Sequence, residues 1–190
     1  MGRTPRLFVV SGPAGVGKGT LVARVKAMRP NLSLPVSATT RLPRPGEIDG
    51  VAYHFLTDEE FTHSVEHGDF LEWAQVHDHR YGTLKSEVDS SLARGESVIL
   101  EIDVQGGENV RKMYPDVVRV FVEPPSWDVL VARLKGRGTE SEESLAIRLR
   151  TAKRELSMAY TYDVRIVNDD LDEAVKELAY TLERYELSEE

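Results

Sequence analysis

The sequence has 190 residues, of which 41% are hydrophobic and 29% are charged, and these proportions predict one soluble globular domain. A net charge of −8 argues against broad binding to a nucleic-acid backbone, and the absence of cysteine excludes disulfides, thiol nucleophiles and thiolate metal sites. No segment carries the roughly 18 apolar residues of a membrane span, and the first residues lack the apolar core of a signal peptide, so we expect a cytoplasmic protein.

The first half of the chain starts with a buried strand, a glycine-rich turn and a helix. A short apolar run predicts the strand, and Pro30 ends the helix that follows the turn. Thr57 and Glu60 form a capping-box pattern, which predicts the start of a second helix. The predicted elements are strands at 7–11, 36–40, 53–56 and 70–76, and helices at 18–28, 58–67 and 85–94.

The second half of the chain alternates apolar runs with helical patterns. We expect Ser141 to cap a long helix with an acidic first turn, and Asp170 and Glu173 to cap the last helix. The predicted strands are 97–102, 117–122 and 164–167, and the predicted helices are 107–113, 127–135, 141–158 and 171–187. This alternation predicts a three-layer α/β fold with a central parallel sheet, and the strand-rich middle of the chain predicts an insertion.

A glycine-rich loop between the first strand and the first helix has the phosphate-loop pattern. Its glycines let backbone N–H groups point at phosphate oxygens, the helix N-terminus adds partial positive charge, and Lys18 supplies a full charge for the terminal phosphates. A tight turn without a ligand rarely combines this spacing, the lysine and the flanking elements, so we predict a P-loop NTPase fold that binds a nucleoside triphosphate. The loop consists of Gly12, Pro13, Ala14, Gly15, Val16, Gly17 and Lys18.

The residue after the lysine departs from the usual pattern. Ser or Thr normally stands there and ligates Mg²⁺, whereas this chain has Gly19, with Thr20 one position later. We therefore expect Mg²⁺ to enter with ATP and to be held mainly by nucleotide oxygens and water, which suits a cation that dehydrates reluctantly. No protein side chain is predicted as a metal ligand.

A second set of phosphate-binding side chains follows in the segment 37–47. Arg41 and Arg44 lie close together on a proline-stiffened stretch, and arginine suits bidentate capture of phosphate. The hydroxyl groups of Tyr53 and Tyr81 can bind the same anion. Two loop arginines are more often simply solvated, so this segment by itself does not decide the acceptor.

Several ordered blocks make the chain similar to the guanylate kinase family over nearly its whole length. Members of that family convert GMP and ATP to GDP and ADP. The blocks are the phosphate loop and the segments 37–44, 70–73, 81–83, 100–106, 136–143 and 167–170. The resemblance implies one domain over residues 1–190, whose parts are a core at 1–36, 93–125 and 150–190, an inserted GMP-binding sub-domain at 37–92 and a small lid at 126–149.

The resemblance also implies roles for individual residues. Arginine and tyrosine positions in the insertion would bind the GMP phosphate, and Ser37, Glu72 and Thr83 would read guanine. The catalytic residues would be Lys18, Arg44, Arg137 and Arg148. ATP would be bound by Gly12, Pro13, Ala14, Gly15, Val16, Gly17, Lys18, Gly19, Thr20 and Arg133. GMP would be bound by Ser37, Arg41, Arg44, Tyr53, Glu72, Tyr81, Thr83, Glu101 and Asp103. The acidic pair Glu101 and Asp103, at the first of which the family also has aspartate, would in addition help to organise Mg²⁺.

The assignment of Glu72 also has a chemical reason of its own. Guanine presents N–H donors at N1 and N2, and an ionised carboxylate, which only accepts hydrogen bonds, can take both. Adenine has an acceptor at N1, and an unmatched buried polar group costs about 1–3 kcal/mol, so AMP is expected to be rejected about tenfold to a hundredfold or more. The alternative for Glu72 is an ordinary solvent-facing carboxylate on a strand.

No general base is predicted for the transfer. The acceptor phosphate has a second pKa of about 6 and is mostly dianionic at pH 7, so the task is to align two anions and screen their repulsion. The resemblance places Arg133, Arg137 and Arg148 in a lid, and Gly136 and Gly138 flank Arg137 as pivots. We expect the lid to close over ATP, bring Arg137 and Arg148 to the transferring phosphoryl group and exclude water.

Two other functions stay open on the sequence alone. The first is a kinase of this fold with a different phosphate acceptor, and the second is a non-catalytic binding module. The histidines between positions 54 and 79 also leave a metal site open. The expected partners are ATP and GMP, without nucleic acid or membrane, and the choice between a monomer and a homo-oligomer is undecided.

Overall fold

The computed structural model describes residues 3–76, 78–136 and 142–187. The strands are β1 Leu7–Ser11, β2 Leu32–Ser33, β3 Ser37–Thr39, β4 His54–Phe55, β5 Phe70–Val76, β6 His79–Leu84, β7 Ser97–Glu101, β8 Val118–Glu123 and β9 Val164–Val167. The helices are α1 Lys18–Met28, α2 Asp58–Glu66, α3 Lys85–Ala93, α4 Val104–Met113, α5 Trp127–Lys135, α6 Glu142–Leu156 and α7 Leu171–Leu187, with one 3-10 turn at Ala159–Thr161.

The larger sheet has the strand order β2-β7-β1-β8-β9, and its neighbouring strands are all parallel. The central strand β1 is buried along its whole length. Phe8 and Val10 belong to the apolar cluster with α1 and α7, whereas Leu7 and Val9 belong to the cluster with α3 and α4. Helices therefore cover both faces, and the prediction of a three-layer α/β fold with a central parallel sheet is confirmed.

The smaller sheet has the strand order β4-β3-β6-β5. Strand β6 pairs antiparallel with both of its neighbours, and β3 pairs parallel with β4. Helix α2 covers one face, where the ring of Phe61 stacks on that of Phe70 with centroids 4.4 Å apart, next to buried Ala38. The opposite face of this sheet is free of α2 and carries polar side chains.

The sequence did not predict β2 or β6. Strand β2 has only two residues, and β6 is mostly polar with Gly82 inside it, so neither has the apolar pattern of a strand. Gly82 is nevertheless required by packing, because a Cβ atom there would lie 2.7 Å from Cδ1 of Phe70. Close approach of two neighbouring strands decides this residue, and only the paired structure reveals it.

Most predicted helix ends agree with the structure, with one clear exception. Thr57 and Glu60 form the predicted capping box, and Asp170 Oδ1 accepts from the amides of the first turn of α7. Helix α4 begins at Val104 rather than at 107, because Asp103 caps it through Gly106 N. The predicted cap at Ser141 lies outside the described residues. Within the described part of the chain, no helix is both long and apolar enough to cross a bilayer.

Candidate active site

The phosphate loop connects β1, at the centre of the parallel sheet, to α1. Gly17 is the N-cap of α1 with φ +94°, and no described side chain caps this helix. The first turn of α1 holds no acidic residue and begins with Lys18. The first amides of the helix and the positive end of its dipole therefore favour an anion at this point.

Gly12 starts the loop in a conformation that other residues rarely adopt. Its φ is +147°, and a Cβ atom there would lie 2.3 Å from the carbonyl oxygen of Val122 in the neighbouring strand β8. The loop thus leaves the sheet through a gap that only glycine fits. This requirement comes from the close approach of the two backbones.

Gly12→Ala is expected to lower the free energy of unfolding by about 3 kcal/mol, because both backbone strain and overlap with Val122 are introduced. Urea denaturation of the variant and the parent measures the loss. Gly95→Ala is the matched control, since Gly95 also has a positive φ, +79°, but a Cβ there meets nothing within 4 Å in the described structure. The control should lose about 1 kcal/mol. Equal losses in the two variants would contradict the proposed overlap.

Lys18 lies across the mouth of its own loop. Its Nζ donates hydrogen bonds to the carbonyl oxygens of Gly12, at 2.5 Å, and Pro13, at 3.2 Å. Burial lowers the pKa of Lys18, and the negative charges of nearby carboxylates partly oppose this shift. A bound phosphate would supply stronger partners for this buried ammonium group than two carbonyl dipoles do.

A cavity of about 240 Å³ opens beside the loop. Asn168 connects the walls of the cavity. Its side-chain Nδ2 donates to Val16 O at 2.8 Å, and its backbone carbonyl oxygen accepts from Arg133 Nη2 at 3.2 Å. The cavity is lined by Gly15, Val16, Gly17, Thr20, Arg133, Asn168, Asp169 and Leu171. The arginine predicted to bind ATP thus shares one cavity with the phosphate loop.

Three polar side chains form a row across the smaller sheet. Ser37 of β3 pairs with Thr83 of β6, which in turn pairs with Glu72 of β5. Directly paired residues point to the same face of a sheet, so all three face away from α2. Thr83 Oγ1 donates to Glu72 Oε1 at 2.8 Å, and Thr83 is buried. The three predicted guanine-reading residues are therefore adjacent.

The Glu72 carboxylate is the electrostatically unusual member of this row. Burial raises the pKa of Glu72, and the negative charge of Asp103 raises it further, while the hydrogen bond from Thr83 opposes the shift. Such a carboxylate gains from a ligand that brings N–H donors, since the ligand replaces the water it has lost. The remaining lone pairs suit a flat heterocycle with two neighbouring donors.

The predicted phosphate-binding side chains gather beyond the end of β3. The guanidinium carbon of Arg41 lies 5.4 Å from the centroid of the Tyr53 ring, and the Tyr53 and Tyr81 rings are 5.9 Å apart. Hydrogen bonds to Glu47, together with a contact to Tyr81, raise the pKa of Arg41. Arg44 is exposed, and its backbone amide donates to Glu47 Oε2 at 2.7 Å.

Asp103 links the two halves of the site. It lies just beyond the carboxyl end of β7, and its charge reaches both Lys18 in the phosphate loop and Glu72 in the smaller sheet. Its Oδ1 accepts from Gly106 N at 2.7 Å, which fixes the side chain at the start of α4. The charge of one carboxylate at the carboxyl end of the parallel sheet, where α/β folds bind ligands, therefore acts on both the phosphate loop and the polar row.

Comparison with known proteins assigns this arrangement to a family. The sequence model of the guanylate kinase family matches residues 4–185. The chain belongs to the guanylate kinase family. The guanylate kinase of Streptomyces kasugaensis is 50% identical over 174 residues, 92% of this chain and 85% of that one. The guanylate kinase of Tropheryma whipplei (strain Twist) is 47% identical over 179 residues, 94% and 93% of the two chains.

A solved structure supports the same family. The crystal structure of guanylate kinase from Anaplasma phagocytophilum matches with a TM-score of 0.72 at 29% identity and covers 98% of this chain and 88% of its own. The fold prediction and the resemblance stated from the sequence motifs are therefore confirmed.

The arginines that the guanylate kinase resemblance places in a lid are only partly described. Arg133 lies on α5 and lines the cavity, and Arg148 lies half-buried on α6. Arg137 lies outside the described residues. Helices α5 and α6 pack through Leu130, Leu134 and Ala152, so the two elements that carry these arginines share one apolar cluster.

Sequence reasoning missed three residues that interact with members of this candidate site. Glu47 contacts Arg41, and Asn168 holds the phosphate loop, although both stand inside motifs that the sequence analysis used. Nothing in the sequence distinguished Glu155 from the other charged residues of α6. Burial raises the pKa of Glu155, the positive charge of Lys18 lowers it, and that of Asp103 raises it again.

The histidine segment forms no metal site in the described ranges. The rings of His63 and His67 stack with centroids 4.0 Å apart, and His54 Nε2 lies 3.2 Å from Glu87 Oε1. Among the residues that the structure describes, no group of three or more His, Cys, Asp or Glu side chains could hold a metal ion. His77 lies outside these residues.

Proposed function

We propose that the protein is a guanylate kinase that transfers the terminal phosphoryl group of ATP to GMP or dGMP, giving ADP and GDP or dGDP, in the purine nucleotide metabolism of the cytoplasm. The observation that carries the proposal is the position of Asp103, whose charge reaches both Lys18 and Glu72. An acceptor whose base pairs with Glu72 would hold its phosphate on the side of the phosphate loop. Membership of the family supports the same pair of substrates.

ATP is proposed to occupy the phosphate loop and the adjoining cavity. Its terminal phosphates would lie on the first amides of α1 and replace the carbonyl partners of Lys18. Its base and ribose would enter the cavity that Arg133 and Asn168 line. The terminal phosphoryl group would then lie at Lys18, on which the charge of Asp103 acts.

GMP is proposed to lie on the polar face of the smaller sheet. Glu72 would accept from N1 and N2 of guanine, while Thr83 beside it and Ser37 beyond Thr83 complete the row. Arg41 and Arg44, with Tyr53 and Tyr81, would bind the phosphate beyond the end of β3. 

Mg²⁺ is proposed to enter with ATP and to neutralise charge between the phosphates. Gly19 has no hydroxyl, but the Glu101 carboxylate faces this position, with Oε2 3.2 Å from where a Cβ on Gly19 would stand. Hard oxygen donors of this kind suit Mg²⁺. Nucleotide oxygens and water would supply the ligands, and the carboxylates of Glu101 and Asp103 would help to organise the hydrated ion from the protein side.

The chain itself would supply positioning and charge to the transfer, since a dianionic acceptor phosphate needs no general base. Lys18 would screen the repulsion between the two anions from the ATP side, and Arg41 and Arg44 from the GMP side. Arg137 and Arg148 are proposed to approach the transferring group when the lid closes over ATP.

A coupled assay of ADP release tests the proposal. ATP and Mg²⁺ are offered with GMP, dGMP, AMP, CMP and UMP in turn, and we expect turnover with GMP and dGMP and rates at least about tenfold lower with the others. If another monophosphate were phosphorylated faster than GMP, that nucleotide would be the acceptor and the assignment of GMP would be wrong. No turnover with any of the five would favour a non-catalytic binding module.

The affinity for guanosine is expected to fall as the pH falls through the raised pKa of Glu72, because only the ionised carboxylate accepts from both guanine donors. Guanosine is the probe because it lacks the phosphate, which has a pKa of its own near ~6. Calorimetric titrations between about pH 4 and pH 7.5 measure the effect. The same series on Glu72→Gln should show weak binding without this pH dependence. Equal slopes in both proteins would contradict the assignment.

A further inference from the structure

Glu47 makes a two-bond side-chain contact with Arg41, a proposed substrate-binding arginine, and the proposed function gives it no role. Its Oε1 accepts from Arg41 Nη2 at 2.9 Å, and its Oε2 accepts from Arg41 Nη1 at 3.0 Å. Such a two-bond pairing holds the guanidinium plane in one orientation. The side chains of Arg41 and Glu47 are both largely shielded, with 12% and 22% of their surface exposed.

The donor geometry of Arg41 determines what Glu47 leaves for a ligand. A guanidinium has five N–H donors in a fixed plane. Glu47 takes one hydrogen of Nη1 and one of Nη2, and the carbonyl oxygen of Leu42 accepts from Nη1 at 2.8 Å. These three bonds use both hydrogens of Nη1 and one hydrogen of Nη2. Apart from a contact with the Tyr81 side chain, they leave the edge formed by Nε and the second hydrogen of Nη2, which is a second parallel fork.

The same carboxylate also ties Arg44 to Arg41. Glu47 Oε2 accepts from the backbone amide of Arg44 at 2.7 Å, and the amide of Glu47 donates back to the carbonyl oxygen of Arg44 at 3.0 Å. One oxygen atom thus bonds the side chain of the first arginine and the backbone of the second. A change at Glu47 would alter the spacing of both cations.

Aromatic rings fix the arginine from another direction. The guanidinium carbon of Arg41 lies 5.4 Å from the ring centroid of Tyr53 and 5.7 Å from that of Phe55. These contacts orient the plane but supply no in-plane acceptor. The two bonds to Glu47, together with the contact to Tyr81, therefore set the in-plane direction of the Nε–Nη2 edge.

We infer that Glu47 is a positioning residue, which turns the Nε–Nη2 edge of Arg41 toward the phosphate of the acceptor nucleotide and holds Arg44 beside it. The inference rests on the proposed function for the identity of that anion. Glu47 would not touch the substrate. Its effect would appear in phosphate binding and leave the recognition of the base intact.

The test compares the parent protein with Glu47→Gln, in which an amide NH₂ faces an arginine N–H and one bond of the pair is lost. We expect the KM for GMP to rise about tenfold or more. The KM for ATP and the inhibition constant of guanosine, which has no phosphate, should change by less than about twofold. Glu47→Asp keeps the charge on a shorter side chain and should lie between the parent and Glu47→Gln.

Glu66→Gln is the matched control, since Glu66 is an exposed carboxylate on α2 of the same sub-structure. It should leave all three constants unchanged. Equal weakening of GMP and guanosine by Glu47→Gln would assign Glu47 to general folding of the segment and overturn the inference. An unchanged KM for GMP would do so too, and a lower KM would show that the carboxylate competes with phosphate. A parent protein inactive with GMP would instead refute the proposed function.

Discussion

Lys18→Ala is expected to lower kcat for GMP phosphorylation by about 10²–10³-fold or more, since removal of one preorganised charge at a transferring group has effects of this size. The ammonium group lies at the mouth of the phosphate loop, where it donates hydrogen bonds to two backbone carbonyls. Without it, charge developing on the phosphoryl oxygens would have to be screened by the amides of α1 and by Mg²⁺. The coupled assay at saturating ATP and GMP measures the loss.

The same variant is not expected to unfold the protein. Burial lowers the pKa of Lys18, which means that the folded state disfavours its charged form, and this cost is fully present below the folded pKa. Thermal unfolding at pH 7 should therefore show no loss of stability in Lys18→Ala. Lys112→Ala, on the exposed side of α4, is the matched control and should keep full activity. Undiminished kcat in a well-folded Lys18→Ala would remove the phosphate loop from the mechanism.

Glu72→Gln is expected to lower kcat/KM for GMP by about tenfold to a hundredfold or more and to reduce the preference for GMP over AMP. The carboxylate accepts from Thr83 and has further lone pairs for guanine, whereas an amide offers one acceptor and one donor group. The NH₂ group of the new amide would face the N–H group at N1 or N2 of guanine, so that two buried hydrogen-bond donors would oppose each other. Assays with GMP and AMP at several concentrations give both ratios.

The stability of Glu72→Gln separates this effect from damage to the fold. Burial raises the pKa of Glu72 in the folded state, so its contribution to the free energy of unfolding decreases as the pH rises from the unfolded to the folded pKa. Replacement by a neutral amide removes this cost, and the variant should be at least as stable as the parent at pH 7. Glu59→Gln, an exposed carboxylate of α2, is the control. Retained selectivity for GMP in Glu72→Gln would contradict base reading by this residue.

Local patterns predicted the parts of the fold that have local causes. The apolar run of β1 and the capping box at Thr57 appear as predicted. The predicted start of α4 was too late, because Gly106 and Gly107 look like a helix break in the sequence. In the structure both glycines lie inside the helix at positions of close packing. A Cβ on Gly107 would lie 3.0 Å from the Tyr162 hydroxyl oxygen, a contact between residues far apart in the chain.

The proposed site divides in the same way. The phosphate loop is contiguous in the sequence, and the fixed spacing of its glycines and lysine predicts phosphate binding. The partners Glu47 and Asn168 carry no such signal, because the first is one more acidic residue after a turn and the second acts on Val16 from the other end of the chain. Their contribution depends on which atoms they meet, and that depends on the packing of separate segments.

The sequence by itself determined the family, the layered α/β architecture and the identity of a phosphate loop, since these depend on residue types at short, fixed separations. Only the tertiary structure decided that Ser37, Thr83 and Glu72 form one row and that the charge of Asp103 acts on both this row and Lys18. Strand register and the approach of two sheets set these distances. Both arise from the free energy of burying side chains that are distant in sequence, which no local pattern encodes.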